Sequence, residues 1–379
     1  MAGINALFSN FGFYETENGP DLLEEEAFNR VLCRERKRAE RSGLPLLLVV
    51  LDLAAYRSES ERESVVRVLS EHLTGVMRET DVFGWRKGSE SLGMIFTPIA
   101  VDDVDSALQT VELKVRGCLK QWLLPSAYQK MILSLQLFPD NRGNNGQENG
   151  FNMMFYPEVV VQSPAEVVVE GVKQSMSMAG SIIALVLLSP LTLVIAPLVR
   201  LTSKGPALFR QERLGQYGKP FTFLKFRTMY VDNDDSIHRN YVKSLIASHG
   251  LNSDGTAAND GLYKIKDDPR VTPLGRFLRK TSLDELPQFI NVLKGEMALV
   301  GPRPALAYEV ESYAAWHRYR ILARKPGITG LWQVKGRSIT TFDEMVRLDL
   351  RYIRNWSIWL DIKLLLATPK AVICGKGAY

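Results

Sequence analysis

Over the first 140 positions, apolar residues come in blocks whose spacing alternates between helical and extended patterns. Asp21–Ser42 mixes charges with regularly spaced apolar residues and stops at Gly43, as an amphipathic helix does. Leu46–Leu53 is a continuous apolar run, short enough for a buried strand. The same pattern predicts a helix over Ser60–Glu79, a strand over Ser91–Thr97, a helix over Val101–Trp122 and a strand over Met131–Phe138. That order suits an α+β sandwich with helices on one sheet face. DNRGNNGQENG (140–150) is a turn-rich loop, and Asn152–Gln162 is expected to add a last strand. The expected division is therefore a tail over 1–20, a domain over 21–162, and a linker over 163–171 that begins at SPAE.

The pattern then changes. No residue is charged between Lys173 and Arg200, a run long enough to enter a bilayer. Ser189-Pro190 sits near its middle, where proline removes a helix hydrogen bond and bends the axis. Lys173 precedes the run, and Arg200, Lys204, Arg210 and Arg213 follow it. Basic flanks prefer the cytoplasmic side, so both ends are expected there, with the helix over 172–200 entering and returning at Ser189-Pro190. A plain span and a buried helix are the alternatives. Downstream, Ala207–Arg213 and Pro220–Thr228 predict a β-hairpin, with Phe221, Phe223, Lys225 and Arg227 on one face and Thr222, Leu224 and Phe226 on the other. A helix should close at Gly295, followed by a strand over Met297–Val300 and the loop Gly301-Pro302-Arg303-Pro304. The tail carries Trp316, Trp356 and Trp359 among Lys and Arg, a mix that suits helices in a membrane interface.

Charge separates the two halves further. The chain's net charge of +5 combines +12 from Val167 onward with −7 before it. A basic half favours phosphates or an anionic membrane face, and no nucleic-acid-binding signature accompanies it. Cys33, Cys118 and Cys374 match neither a zinc spacing nor a disulfide framework, which favours a reducing cytoplasm. The first residues lack the basic and apolar regions of a secretory signal.

Thr281-Ser282-Leu283-Asp284-Glu285 supports two readings. Ser282 with Glu285 three residues on is a capping-box pattern. Alternatively, Asp284 is a nucleophile, since a carboxylate can attack phosphorus to give an acyl phosphate. That chemistry needs a divalent cation and cationic side chains, and Arg276, Arg279, Lys280 and Arg303 are near in sequence. Arg303 lies between two prolines that fix its backbone, which suits either a phosphate clamp or a tight surface turn.

Together these segments resemble the bacterial sugar transferase family, the monotopic phosphoglycosyl transferases that begin exopolysaccharide, O-antigen and capsule assembly. The resemblance runs from about Val172 to Tyr379 and rests on several segments in order: the Ser-Pro helix, KFRTM (225–229), DDPRVTPLGRFLRKTSLDELPQFINVLKGEMALVGPRP (267–304), KPGITGLWQV (325–334) and the WLDIKLLL…KGAY tail. It implies a catalytic domain over 201–379 behind a re-entrant helix at the cytoplasmic face of the bacterial inner membrane, in contact with its lipid. The implied reaction moves a sugar phosphate from a UDP-sugar to undecaprenyl phosphate, with Mg2+, through a phosphosugar-aspartyl enzyme. Carried onto this chain, Asp284 is the nucleophile and Glu285 its dyad partner, which either joins Asp284 in holding Mg2+ or orients it. Lys225, Arg279 and Arg303 match positions that handle phosphate groups.

The N-terminal half resembles the GGDEF fold of diguanylate cyclases through FNRVLCRERKRAERSGLP (28–45), LLLVVLDL (46–53) and RETDVFGWRKGSES (78–91). KGSES replaces the signature, so cyclase activity is not expected. Arg78 and Asp81 keep the R-x-x-D spacing that the resemblance associates with a cyclic di-GMP site. The alternative is that Arg78 and Asp81 form a generic helix-end salt bridge and the domain is a dimerisation or docking element, with a homodimer as the expected assembly. A membrane-tethered nucleotide-binding signalling module is the competing function.

Overall fold

The apolar run at Leu46 forms the centre of a sheet. The computed structural model describes residues 22–97, 104–139, 151–160, 163–231, 246, 268–336 and 340–373. The tail 1–20, the loop 140–150, most of the polar stretch 230–266, Cys374 and the KGAY end lie outside these residues. Contacts divide the chain into two units, with the boundary after Val161.

The N-terminal unit contains α1 (Glu25–Ser42), β1 (Leu46–Asp52), α2 (Glu59–Leu73), β2 (Val82–Lys87), β3 (Ser91–Phe96), α3 (Val104–Trp122), α4 (Pro125–Lys130) and β4 (Ile132–Phe138). The sheet order is β2-β3-β1-β4, with every pairing antiparallel. β1 is central and buried nearly throughout, which accounts for its unbroken apolar sequence. Leu47, Val49 and Leu51 pack with Leu69, Leu73, Val115 and Leu119 from α2 and α3. The sequence pattern misses β2, where Gly84, Arg86 and Lys87 interrupt the apolar alternation. The strand expected over Asn152–Gln162 is instead a 3-10 turn, Met153–Phe155, and a short helix α5, Pro157–Val160. Asn152 caps the turn by accepting from Met154 N, and Pro157 suits a first helical position better than a strand.

The C-terminal unit begins with α6 (Pro164–Thr202), so the expected linker is its first turns. SPAE was the start signal. Ser163 is the N-cap, its hydroxyl accepts from Glu166 N, Glu166 answers at Ser163 N, and Pro164 fills the first helical position. The helix is continuous through Pro190 instead of dividing there. Pro190 cannot donate to the carbonyl of Val186, but the Ser189 hydroxyl donates to it at 2.8 Å. One face, from Lys173 through Ser177 and Ser181 to Ile195 and Val199, is buried. The other is exposed and apolar, with Ile183, Val186, Leu187 and Leu193 among its residues. Among the described residues, α6 is the one helix long and apolar enough to cross a membrane.

The hairpin β5 (Leu208–Leu214) and β6 (Pro220–Phe226) follows α6. Then come α7 (Pro273–Thr281), a 3-10 turn Leu283–Glu285, α8 (Gln288–Leu293), β7 (Ala298–Val300), α9 (Ala307–Val310), α10 (Ala315–Ala323), β8 (Gly327–Thr329), α11 (Leu331–Lys335), α12 (Phe342–Arg354) and α13 (Ile358–Ile373). β7 and β8 pair in parallel. A Cβ on Gly327 would lie 2.0 Å from Gly301 N, so glycine permits that close approach. Of the three tail tryptophans, Trp359 faces outward at 62% exposure, beside exposed Leu366. Trp356 instead donates its indole N–H to Asp361.

Candidate active site

Three elements converge on Asp284. α7 begins where Thr272 caps Gly275 N, and Thr272 N donates to Thr228 O just after β6. α7 ends at Ser282, whose left-handed backbone (φ 56°) turns the chain sharply into Leu283–Glu285. Ser282 therefore closes the preceding helix and makes no side-chain cap bond, which sets aside the capping-box reading. Buried Asn291 on α8 ties the turn to the hairpin. Its amide donates to Thr222 O at 2.7 Å, and its carbonyl oxygen accepts from Leu224 N at 3.1 Å.

The same packing brings the turn to α6. Ile195 and Val199 of α6 cluster with Phe226, Leu278 and Leu286, and Leu283 packs against them. Arg227, next to the site hairpin, donates to Ser203 O at 2.8 Å and also to the carbonyls of Val199, Lys204 and Gly205. It thereby covers the carbonyls left open at the C-terminal end of α6.

Asp284 is buried and Glu285 half-buried. Arg279 Nε donates to Thr228 Oγ1 at 2.9 Å. Burial pushes the Arg279 guanidinium below its ordinary value, and the nearby carboxylates of Asp284 and Asp268 oppose that shift. Asp268 pairs with Arg270 at 2.8 Å. Hydrogen bonding to Arg270 is the main reason its carboxyl sits below the usual range. Lys225 is on β6, which packs against the turn, and its ammonium lies 5.2 Å from the centre of the Phe209 ring.

On the Glu285 side, Arg303 makes an ion pair with fully buried Glu309 at 3.4 Å. Burial alone would raise the Glu309 carboxyl, but Arg303, Arg213 and the Leu306 amide together hold it below its ordinary value. Arg213 is buried across the Phe223 ring, 4.2 Å from its centre. Burial first, and repulsion from Arg303 second, lower its guanidinium to about 10, while Glu309 and Glu285 oppose the shift. Arg279 thus lies in the field of Asp284, and Arg213 in that of Glu285. Arg276 and Lys280 are exposed on α7.

Sequence reasoning missed Arg213 and Glu309 as site residues, because nothing in the chain's pattern marks these two charges as buried. Arg78 and Asp81 close a turn in the N-terminal unit, where Asp81 accepts from Arg78 N at 2.8 Å and Asp81 N donates to Arg78 O. Desolvation is the main cause of a raised Asp81 carboxyl.

Residues 168–375, more than half of the chain, match the family model described as "Bacterial sugar transferase". The chain belongs to the bacterial sugar transferase family. It is 45% identical over 207 residues to the galactosyl transferase CpsE of Streptococcus agalactiae, covering 54% of this chain and 43% of that one. It is 42% identical to the undecaprenyl-phosphate galactose phosphotransferase of Salmonella typhimurium, covering 55% and 41%. The chain thus spans less than half the length of these two relatives. The exopolysaccharide production protein ExoY of Sinorhizobium fredii is 39% identical, and the match covers 88% of it.

Proposed function

We propose that the C-terminal unit transfers a sugar 1-phosphate from a UDP-sugar to undecaprenyl phosphate, at the cytoplasmic face of the inner membrane, as a first step of polysaccharide assembly. The observation that carries this reading is the Asp284-Glu285 turn, packed on the membrane helix between Arg279 and the Arg213–Arg303–Glu309 group. Relatives named as undecaprenyl-phosphate galactose and glucose phosphotransferases support the acceptor and the transferred group.

Asp284 attacks the phosphorus attached to the sugar. A carboxylate–phosphorus bond forms, the bond to UMP breaks, and UMP leaves with the electron pair. An oxygen of undecaprenyl phosphate then attacks the same phosphorus, forming the lipid diphosphate sugar and returning Asp284 as a carboxylate. One site serves a soluble and a lipid substrate in turn. Arg279 and Arg303, with Lys225, offset the phosphate charge that would otherwise repel Asp284. Two adjacent carboxylates on one turn suit Mg2+, which commonly takes one or two carboxylates and completes its shell with phosphate oxygens and water. Asp284 and Glu285 would hold the ion, which supplies further neutralisation of the diphosphate.

The packing of α6 supports a monotopic placement. Lys173 near one end donates to Tyr352 at 2.9 Å, while Val199 near the other packs on Phe226 and Leu278. Both ends therefore rest on one unit rich in charge, and a helix crossing the bilayer would draw that unit into hydrocarbon. UMP release from a panel of UDP-sugars, with and without undecaprenyl phosphate, tests the reaction and identifies the sugar. No release with any UDP-sugar would remove the proposal.

A further inference from the structure

Pro302 and Pro304 bracket Arg303, and neither has an N–H, so this loop is anchored largely through its carbonyls. Four donors take those carbonyls in order. Gly327 N donates to Pro302 O at 2.9 Å and Arg320 Nη1 to Arg303 O at 3.3 Å. Arg213 Nη1 donates to Pro304 O at 2.9 Å, and Leu214 N to Ala305 O at 2.9 Å.

Two of these donors are buried guanidinium groups from distant parts of the sequence, Arg213 on β5 and Arg320 on α10. Burying a guanidinium is costly unless its hydrogen bonds and charge are answered. Arg320 meets the Asp349 carboxylate and the Tyr313 hydroxyl, each at 2.7 Å. Arg213 donates to Gln211 Oε1 at 3.0 Å and lies over the Phe223 ring. With Arg213 8% and Arg320 0% exposed, each is spent on this packing and is poorly placed to grip a phosphate itself.

We propose that Arg213 and Arg320 are positioning residues, which fix consecutive carbonyls of the Arg303–Pro304 segment so that the Arg303 guanidinium is presented to a substrate phosphate. The proposal rests on the reading of Arg303 as a phosphate-binding residue. Lysine keeps the charge at either position but lacks the planar fork that holds both a carbonyl and a second partner.

The test is a double-mutant cycle in the full-length chain, because residues that act through one another lose their effect when the second is removed. Arg213→Lys and Arg320→Lys are each made with Arg303 intact and in an Arg303→Ala background. The readouts are kcat/KM for UMP release and, separately, the calorimetric Kd for UDP, which needs no turnover. With Arg303 present, each lysine variant should lower kcat/KM by about tenfold or more, since a misplacement near 1 Å can cost roughly a hundredfold. In the Arg303→Ala background the further loss should stay below about twofold, with the same pattern in UDP affinity. Equal losses in both backgrounds would assign the arginines a general structural role and overturn the proposal, as would wild-type behaviour of Arg303→Ala. A chain that binds UDP but releases no UMP would instead defeat the proposed reaction and leave the cycle readable. Should a lysine variant melt as an unfolded protein, the corresponding glutamine variant, still an N–H donor, takes its place in the cycle.

Discussion

Ser282, at φ 56°, shows how a single residue orients the site. A non-glycine side chain in the left-handed region is strained, and such residues collect where a chain must be aimed. S-x-x-E fits a capping box equally well, and only the fold shows that α7 ends at Ser282. Gly275 depends on a close approach in the same way. A Cβ there would lie 2.1 Å from Thr228 O, so Gly275→Ala should push α7 off the hairpin. The expected cost is about 1–3 kcal/mol of stability, together with reduced UMP release, checked by thermal unfolding and by turnover. Glu309 gives a pH-dependent prediction. Its carboxyl is held below the ordinary value, so its stabilising effect is complete above the unfolded-state pKa. The effect fades as pH falls through the lower folded value. Glu309→Gln should therefore cost about 3–5 kcal/mol near pH 7, and a shrinking amount below about pH 4. Urea unfolding of both proteins across pH 3–8 measures the difference, and a constant gap would contradict the assignment.

The elements differ in how openly the sequence declares them. β1, the hairpin and the helix ending at Gly295 follow from periodicity and stop signals, because burial there is simple. The start of α6 lies ahead of Lys173 and the uncharged run, where only the Ser163 capping box and Pro164 mark it. Pro190 predicts a break, yet the Ser189 hydroxyl takes up the carbonyl that proline leaves open, and the helix continues. In hydrocarbon, an open carbonyl costs several kcal/mol, so Ser189→Ala should weaken membrane-bound folding more than a surface serine would. Cysteines placed at Ala165 and Lys370 should both be labelled from the cytoplasmic side. Labelling from opposite sides would show that α6 spans the membrane.

For the whole molecule, contacts divide the chain into two units, and every candidate residue for the transferase reaction lies in the second. The buried ionic set around Arg303 was not legible, because its members lie far apart along the chain and meet only when β5, α10 and α12 pack. Because that unit has clusters of its own, residues 162–379 alone should release UMP at a rate within about threefold of the full chain. A folded fragment without activity would give the N-terminal unit a part in the reaction. The central claim is that Asp284 carries the sugar phosphate, and the most direct measurement is the intact mass of the protein after incubation with UDP-sugar and Mg2+ but no lipid acceptor. The wild-type chain should gain the mass of one sugar phosphate, mapped to the Asp284 peptide and released by undecaprenyl phosphate, while Asp284→Asn stays unmodified, folded and membrane-bound. An unmodified wild-type chain that still turns over, or an adduct that persists in Asp284→Asn, would contradict the account.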